Sequence, residues 1–155
     1  MENANGTSFY DSTPTPLHIQ HFVQDFFGGI DVDPCAEDGN RMKAATYYTA
    51  ADDGLTHSWG PGSAYVHPPK TDLRDWLLRA AKHGREVGES IVLAPWLADN
   101  DYVADHYDAV AFLTRESSLF GVYVEPLVLL YKGKRYHDFI EFATNSRHVA
   151  RVVRF

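Results

Sequence analysis

The sequence predicts an α/β fold: a three-layer sandwich whose sheet is mostly parallel with an antiparallel edge. Three observations carry that expectation. Short apolar runs alternate with segments of helical periodicity along most of the chain. Glu89 to Trp96 encloses Ser-Ile-Val-Leu-Ala, the kind of continuous apolar run found in a parallel strand buried on both faces. Toward the end of the chain the strand-like runs come close together, as sequence neighbours in an antiparallel edge do.

Residues 1–14 are polar, rich in Asn, Ser, Thr and Gly, and read as a flexible tail ordered only near Phe9 and Tyr10. Residues 15–155 form one domain. Thr15-Pro16 opens the first helix, with Thr as N-cap and Pro at the first helical position. Leu17, Ile19, Phe22, Val23, Phe26 and Phe27 supply its apolar face, and Gly28-Gly29 ends it. Ile30 to Asp33 alternates apolar and polar and predicts the first strand. Ala44 to Tyr48 is a short strand or an irregular edge. Asp53-Gly54 marks a turn, with Leu55 and Trp59 anchoring the loop to the core. Ala64-Tyr65-Val66 is a strand that stops at Pro68-Pro69, because neither proline can donate an N–H. Each proline also holds the residue before it extended, so the chain leaves in a fixed direction. A helix follows over Asp72 to Gly84, with Leu73, Trp76, Leu77, Ala80 and Ala81 as its core stripe. Beyond the strand at 89–96, the pattern predicts a helix over 100–107 and a strand over 108–114. A buried strand at 126–131, a helix over 136–145 and an edge strand at 149–155 complete the order.

The bulk properties narrow the function. At 155 residues and 45% hydrophobic content, the chain can bury an ordinary core. Cys35 is the one cysteine, which rules out an internal disulfide and suits a reducing cytoplasm. The first residues lack the basic and apolar regions of a signal peptide, and no apolar run is long enough to span a bilayer. The net charge of −7 argues against a large phosphate footprint. Lys132, Lys134, Arg135, Arg147, Arg151 and Arg154 form a locally basic C-terminal region, or a solvated surface. His18 and His21 have i, i+3 spacing, but no third ligand accompanies them, so no metal site is expected. His83, His106, His137 and His148 read as surface groups. No nucleophile elbow and no phosphate-binding P-loop occurs.

The chemistry concentrates at two places. Ala64 to Lys70 is a strand, a rigid His67-Pro68-Pro69 corner and then a helix. In an α/β sheet such a corner lies at a strand's carboxyl end, where ligands bind. The first strand runs into Asp33-Pro34-Cys35-Ala36-Glu37-Asp38-Gly39-Asn40. Small residues there let backbone approach a ligand, and the same run also reads as an ordinary acidic turn.

His67-Pro68-Pro69-Lys70 resembles motif IV of the amino-methyltransferases that act on DNA, usually written Asp/Asn-Pro-Pro-Tyr/Phe. With Asp52-Asp53-Gly54-Leu55 and Trp59 ahead of it, the stretch is similar to the small phage-type DNA N6-adenine methyltransferases of the Dam family. Asp33 to Gly39 resembles the Asp-Pro-x-x-Gly form of motif I, the turn that cradles S-adenosylmethionine. The resemblance implies a Rossmann-like class I methyltransferase core without a separate target-recognition domain. It implies S-adenosylmethionine as cofactor, DNA as partner through a flipped base, and the cytoplasm of a phage host as location. Carried over residue by residue, it implies cofactor contacts from Thr15, Pro16, Asp33, Pro34, Cys35, Ala36 and Asp53. It implies catalytic roles for His67, Pro68, Pro69 and Lys70.

The chain departs from the family at both ends of motif IV. His67 stands where Asn or Asp accepts a hydrogen bond from the adenine amine, and a neutral imidazole can accept through one nitrogen. Lys70 stands where an aromatic stacks on the base, a contact contributing about 1–3 kcal/mol, and a Lys can hold a phosphate instead. Tyr47, Tyr48, Tyr65, Trp96 and Phe120 are other candidates for stacking. Glu37 occupies a position where many methyltransferases carry glycine. Two function classes follow. One is an S-adenosylmethionine-dependent adenine N6-methyltransferase with a variant motif IV. The other is a catalytically inactive methyltransferase-fold binding module that takes a protein partner, as a phage interaction or anti-defence protein would.

Overall fold

The computed structural model describes residues 14–96, 100–120, 123–124 and 126–155, so residues 1–13 of the expected tail lie outside the described residues. Helix α1 (Leu17–Phe27) turns Ile19, Phe22, Val23 and Phe26 inward, and Gly28 closes it at φ 72°. That left-handed closure lets the Gly28 N–H reach the Gln24 carbonyl at 2.9 Å. The expected cap differs. Pro16, not Thr15, is the N-cap residue, and no side chain caps the helix. The Thr15 hydroxyl is directed to a buried tyrosine instead, as described below.

Strands β1 (Val32–Asp33), β2 (Thr46–Tyr47), β3 (Ser63–Val66), β4 (Glu89–Pro95), β5 (Ala109–Leu113), β8 (Leu127–Lys132) and β9 (Val149–Arg154) form one sheet. Its order is β2-β1-β3-β4-β8-β5-β9. β2, β1, β3 and β4 pair in parallel, while β8 pairs antiparallel with β4 and β5, and β9 antiparallel with β5. Five of the seven strands therefore run one way, and the sheet ends in the expected antiparallel edge. Between β5 and β8 the described chain holds one 3-10 turn (Glu116–Ser118) and a small hairpin of β6 (Leu119–Phe120) and β7 (Tyr123–Val124). With no long crossover helix among the described residues of this link, the chain returns antiparallel and β8 pairs beside β5.

Alternation along the strands divides the core in two. Tyr65, Ile91, Leu93, Leu129 and Tyr131 face α1 and α4 (Tyr136–Thr144). Ala64, Val66, Val92, Val128 and Leu130 face α2 (Leu73–Glu86) and α3 (Asn100–His106). Trp76 and Trp59 lie in the second layer, as expected of a core stripe and a loop anchor. His83 does not sit on the surface. It follows Trp76 by two helical turns on the same face, is 1% exposed, and bonds through Nε2 to the Gly62 carbonyl at 2.9 Å. The basic C-terminal residues are partly neutralised. Lys132 pairs with Asp108 at 2.9 Å and Arg135 with Glu89 at 2.7 Å. Among the described residues, no helix is long and apolar enough to cross a membrane.

Candidate functional site

β1 and β3 are parallel neighbours, with Val32 opposite Ala64. Asp33 and the residue after β3, His67, therefore emerge at the same carboxyl edge of the sheet. A cleft of about 800 Å³ opens there. Of the sequence-predicted site residues, Pro34, Cys35, Ala36, Asp53, His67, Pro68 and Pro69 line it. Asp33 and Thr15 lie beneath it, at 3% and 1% exposure. Pro16 and Lys70 are not among its lining residues.

The turn after β1 is held from both sides. The Cys35 N–H donates to Asp33 Oδ1 at 3.2 Å. The Tyr48 N–H donates to the Asp33 carbonyl at 3.0 Å, and the Ala36 N–H to the Tyr48 carbonyl at 2.8 Å. The β1–β2 pairing is thus prolonged past the ends of both strands. Gly54 then touches the turn: a Cβ placed on it would sit 1.8 Å from the Pro34 carbonyl oxygen. Trp59 Nε1 donates to the Gly54 carbonyl at 2.9 Å and pins the contact. The two adjacent aspartates take different parts. Asp52 Oδ2 accepts the Thr49 N–H and hydroxyl, a local turn, whereas Asp53, at φ 55°, borders the cleft.

Behind the cleft lies a polar cluster that local pattern did not single out. Tyr65 and His67 are two apart on β3 and its extension, so they project to the same side. Thr15 Oγ1 is 2.7 Å from the Tyr65 hydroxyl and 3.2 Å from His67 Nδ1. The Thr15 N–H donates to Glu37 Oε1 at 3.0 Å, and that oxygen is 3.6 Å from His67 Nδ1. Arg41 Nε stands 3.8 Å from the other Glu37 oxygen. Burial pushes the Asp33 carboxyl up to about 7, with the Cys35 N–H opposing and the Glu37 charge adding to the rise. Burial also pushes Glu37 upward, but His67, the Thr15 N–H and Arg41 outweigh it and hold the carboxyl below its ordinary range. Burial holds the Tyr65 phenol well above its usual value. Sequence reasoning gave Glu37 and Tyr65 other parts, a departure from the motif I turn and a stacking candidate, and missed their place in this cluster. The i, i+2 spacing from His67 was the available signal for Tyr65.

The described candidates for base stacking do not line the cleft. Tyr65 is fully buried in the core. Tyr48 stacks on His57 at 4.5 Å and Trp96 packs on Phe112 at 4.8 Å. Tyr47 is exposed on the edge strand β2. The Phe120 side chain and Gly121 lie outside the described residues. Trp76 borders the cleft from within the core. A second cleft, of about 580 Å³, lies between α1 and α4 and includes His18, His21 and His148. Among the described residues, no group of three side chains could hold a metal ion.

Comparison with known proteins agrees with this arrangement. The model of the family described as DNA N-6-adenine-methyltransferase (Dam) matches residues 6–114, a span that holds both turns of the cleft. The Putative methyltransferase YfdM of Escherichia coli (strain K12) is 35% identical over 65 residues, covering 38% of this chain and 70% of the relative. No solved structure matches the chain. The family match covers well over half of the sequence, and the chain belongs to the DNA N-6-adenine-methyltransferase (Dam) family.

Proposed function

We propose that the protein is an S-adenosylmethionine-dependent methyltransferase acting on an exocyclic amine of DNA, adenine N6, with His67-Pro68-Pro69-Lys70 as a variant motif IV. One observation carries this reading. The turn at Pro34 to Ala36 and the corner at His67 to Pro69 line a single cleft at the carboxyl ends of parallel strands. The volume suits a small-molecule cofactor. S-Adenosylmethionine, when bound, supplies a methyl group on a cationic sulfonium. The donor set fits such a cation: Glu37, Asp38, Asp53 and Asp72 border the cleft, with Leu55 and Trp76 as apolar wall.

In this reading Pro34, Cys35 and Ala36 offer backbone and small side chains to the cofactor. Asp33 braces that turn from below through Cys35, Asp53 offers a carboxylate from the opposite loop, and Thr15-Pro16 close the side behind His67. Neutral His67 accepts one N–H of the target amine, and the Pro68 carbonyl accepts the other. These two acceptors would turn the amine lone pair toward the cofactor side of the cleft, and the imidazole nitrogen could take the proton that the amine gives up. Lys70 holds a phosphate beside the flipped base.

A second reading has its own support. None of Tyr47, Tyr48, Tyr65 and Trp96 lines the cleft, so the base-stacking face is not supplied by them, and the cleft rim is acidic. Those two features favour a catalytically inactive binding module with a protein partner. Calorimetry with S-adenosylmethionine and S-adenosylhomocysteine, followed by transfer of a labelled methyl group to unmodified DNA, separates the two. Transfer by the natural protein supports the enzyme. Transfer only after the double change His67→Asn, Lys70→Tyr identifies a lapsed enzyme with an intact cofactor site. Binding without transfer by either protein removes DNA as acceptor, and failure to bind either ligand leaves the binding module.

A further inference from the structure

We propose that Glu37 is a positioning residue that fixes His67 in the neutral tautomer carrying its hydrogen on Nδ1, so that Nε2 is the acceptor of the ring. The inference rests on the methyltransferase reading for its purpose, and on the geometry behind the cleft for its substance. Glu37 Oε1 is 3.6 Å from His67 Nδ1 and is held there by the Thr15 N–H at 3.0 Å. Arg41 stands 3.8 Å from the second oxygen and keeps the carboxylate from turning away. An ionised carboxylate offers lone pairs only. A bare Nδ1 would set its own lone pair against that charge, whereas an N–H there is attracted to it.

Thr15 Oγ1, 3.2 Å from Nδ1, does not decide the tautomer by itself. Its bond with the buried Tyr65 hydroxyl runs in either direction. If Thr15 donates to Tyr65, it keeps a lone pair for Nδ1–H. If Tyr65 donates, the Thr15 proton could go to a bare Nδ1 instead. The full charge on Glu37, 3.6 Å from Nδ1, breaks this tie, because a negative charge at that distance attracts an N–H and repels a bare lone pair.

The consequence reaches the chemistry. The family's Asn or Asp presents an oxygen lone pair to the target amine. A His at that position matches it only when its accepting nitrogen is bare, and Nε2, buried here, must be uncovered by the entering base. Glu37, out of place in a motif I turn, and His67, out of place in motif IV, therefore compensate for each other.

Long-range proton–nitrogen correlation spectra of the full 15N-labelled chain, in alkaline buffer where an ordinary imidazole is neutral, read the tautomer directly. The expected result for the natural protein is hydrogen on Nδ1, with Nε2 at the resonance of an unprotonated nitrogen. In Glu37→Ala the hydrogen should move to Nε2 in a large share of molecules. Glu37→Gln, which keeps the shape but not the charge, should move in the same direction and serves if the Ala variant does not fold. Thr15→Val, which keeps the backbone N–H that pins Glu37, should leave the hydrogen on Nδ1. Hydrogen on Nε2 in the natural protein overturns the proposal, as does an unchanged tautomer in both Glu37 variants. The readout is independent of turnover. An Nδ1–H tautomer in a protein that transfers no methyl group sinks the methyltransferase reading and leaves the role of Glu37 standing. Transfer with the opposite tautomer does the reverse.

Discussion

Asp33 shows how one buried carboxyl ties stability to pH. Its folded-state value is about 7 against an ordinary 3.8, chiefly because burial disfavours the charge. The native state therefore holds more protons than the unfolded state between those values. Stability must fall as pH rises through that window, and it is restored only below it. The full loss, reached above pH 7, is on the order of 4 kcal/mol for a shift of this size. Asp33→Asn keeps an oxygen to accept the Cys35 N–H and cannot ionise. Urea denaturation should show the variant more stable than the natural protein near pH 8, with the difference closing toward pH 4. A gap that does not change with pH would mean that Asp33 keeps an ordinary ionisation in the fold. The same variant should bind the cofactor no more tightly, because the group braces the turn and does not line the cleft.

At the level of elements, the cleft depends on a loop pressed against a turn. Gly54 lies against the Pro34 backbone so closely that a methyl group cannot be added without movement. Gly54→Ala should push the loop away from the turn, at a cost of about 1–3 kcal/mol for overpacking. Calorimetry should show weaker S-adenosylmethionine binding, together with a lowered urea midpoint. An unchanged midpoint and affinity would show that the loop yields without consequence. Asp52→Ala tests a different point. It removes the acceptor of the Thr49 N–H and hydroxyl, both at the exposed surface, and should lower the urea midpoint only slightly, through the loop alone. A loss much larger than that would assign Asp52 a part beyond its own turn.

Across the whole molecule, one sheet joins two apolar layers. Phe139 is fully buried in the α1–α4 layer, with ring contacts to Phe22, Phe26 and Tyr131. All three tryptophans, Trp59, Trp76 and Trp96, belong to the other layer. Phe139→Ala should cost about 3–5 kcal/mol. If the domain unfolds as one unit, tryptophan fluorescence on the opposite face should report that loss in full, at the same midpoint as circular dichroism. A fluorescence midpoint that stays put while the helical signal moves would divide the molecule into separately unfolding halves.

Local pattern determined much of this protein. The alternation of Ile30 to Asp33, the helical stripe around Trp76 and the apolar run of Ser90 to Ala94 identified their elements, because each depends on neighbours within a turn or a pleat. The Pro68-Pro69 stop was legible for the same reason, since a missing N–H is a property of the residue itself. Together they put Asp33 and His67 each at the carboxyl end of a strand. The tertiary structure alone decided what depends on distance between remote segments. Thr15 meets Tyr65 and His67 across 50 and 52 residues of chain, and Glu37 across 22. A helix start therefore became part of a polar cluster, and an acidic turn residue became the neighbour of the motif IV imidazole. The separate surroundings of Asp52 and Asp53, the burial of His83 and the insertion of β8 between β4 and β5 were decided in the same way. Each turns on which groups compete for one buried donor or one open strand edge, and no local period records that competition.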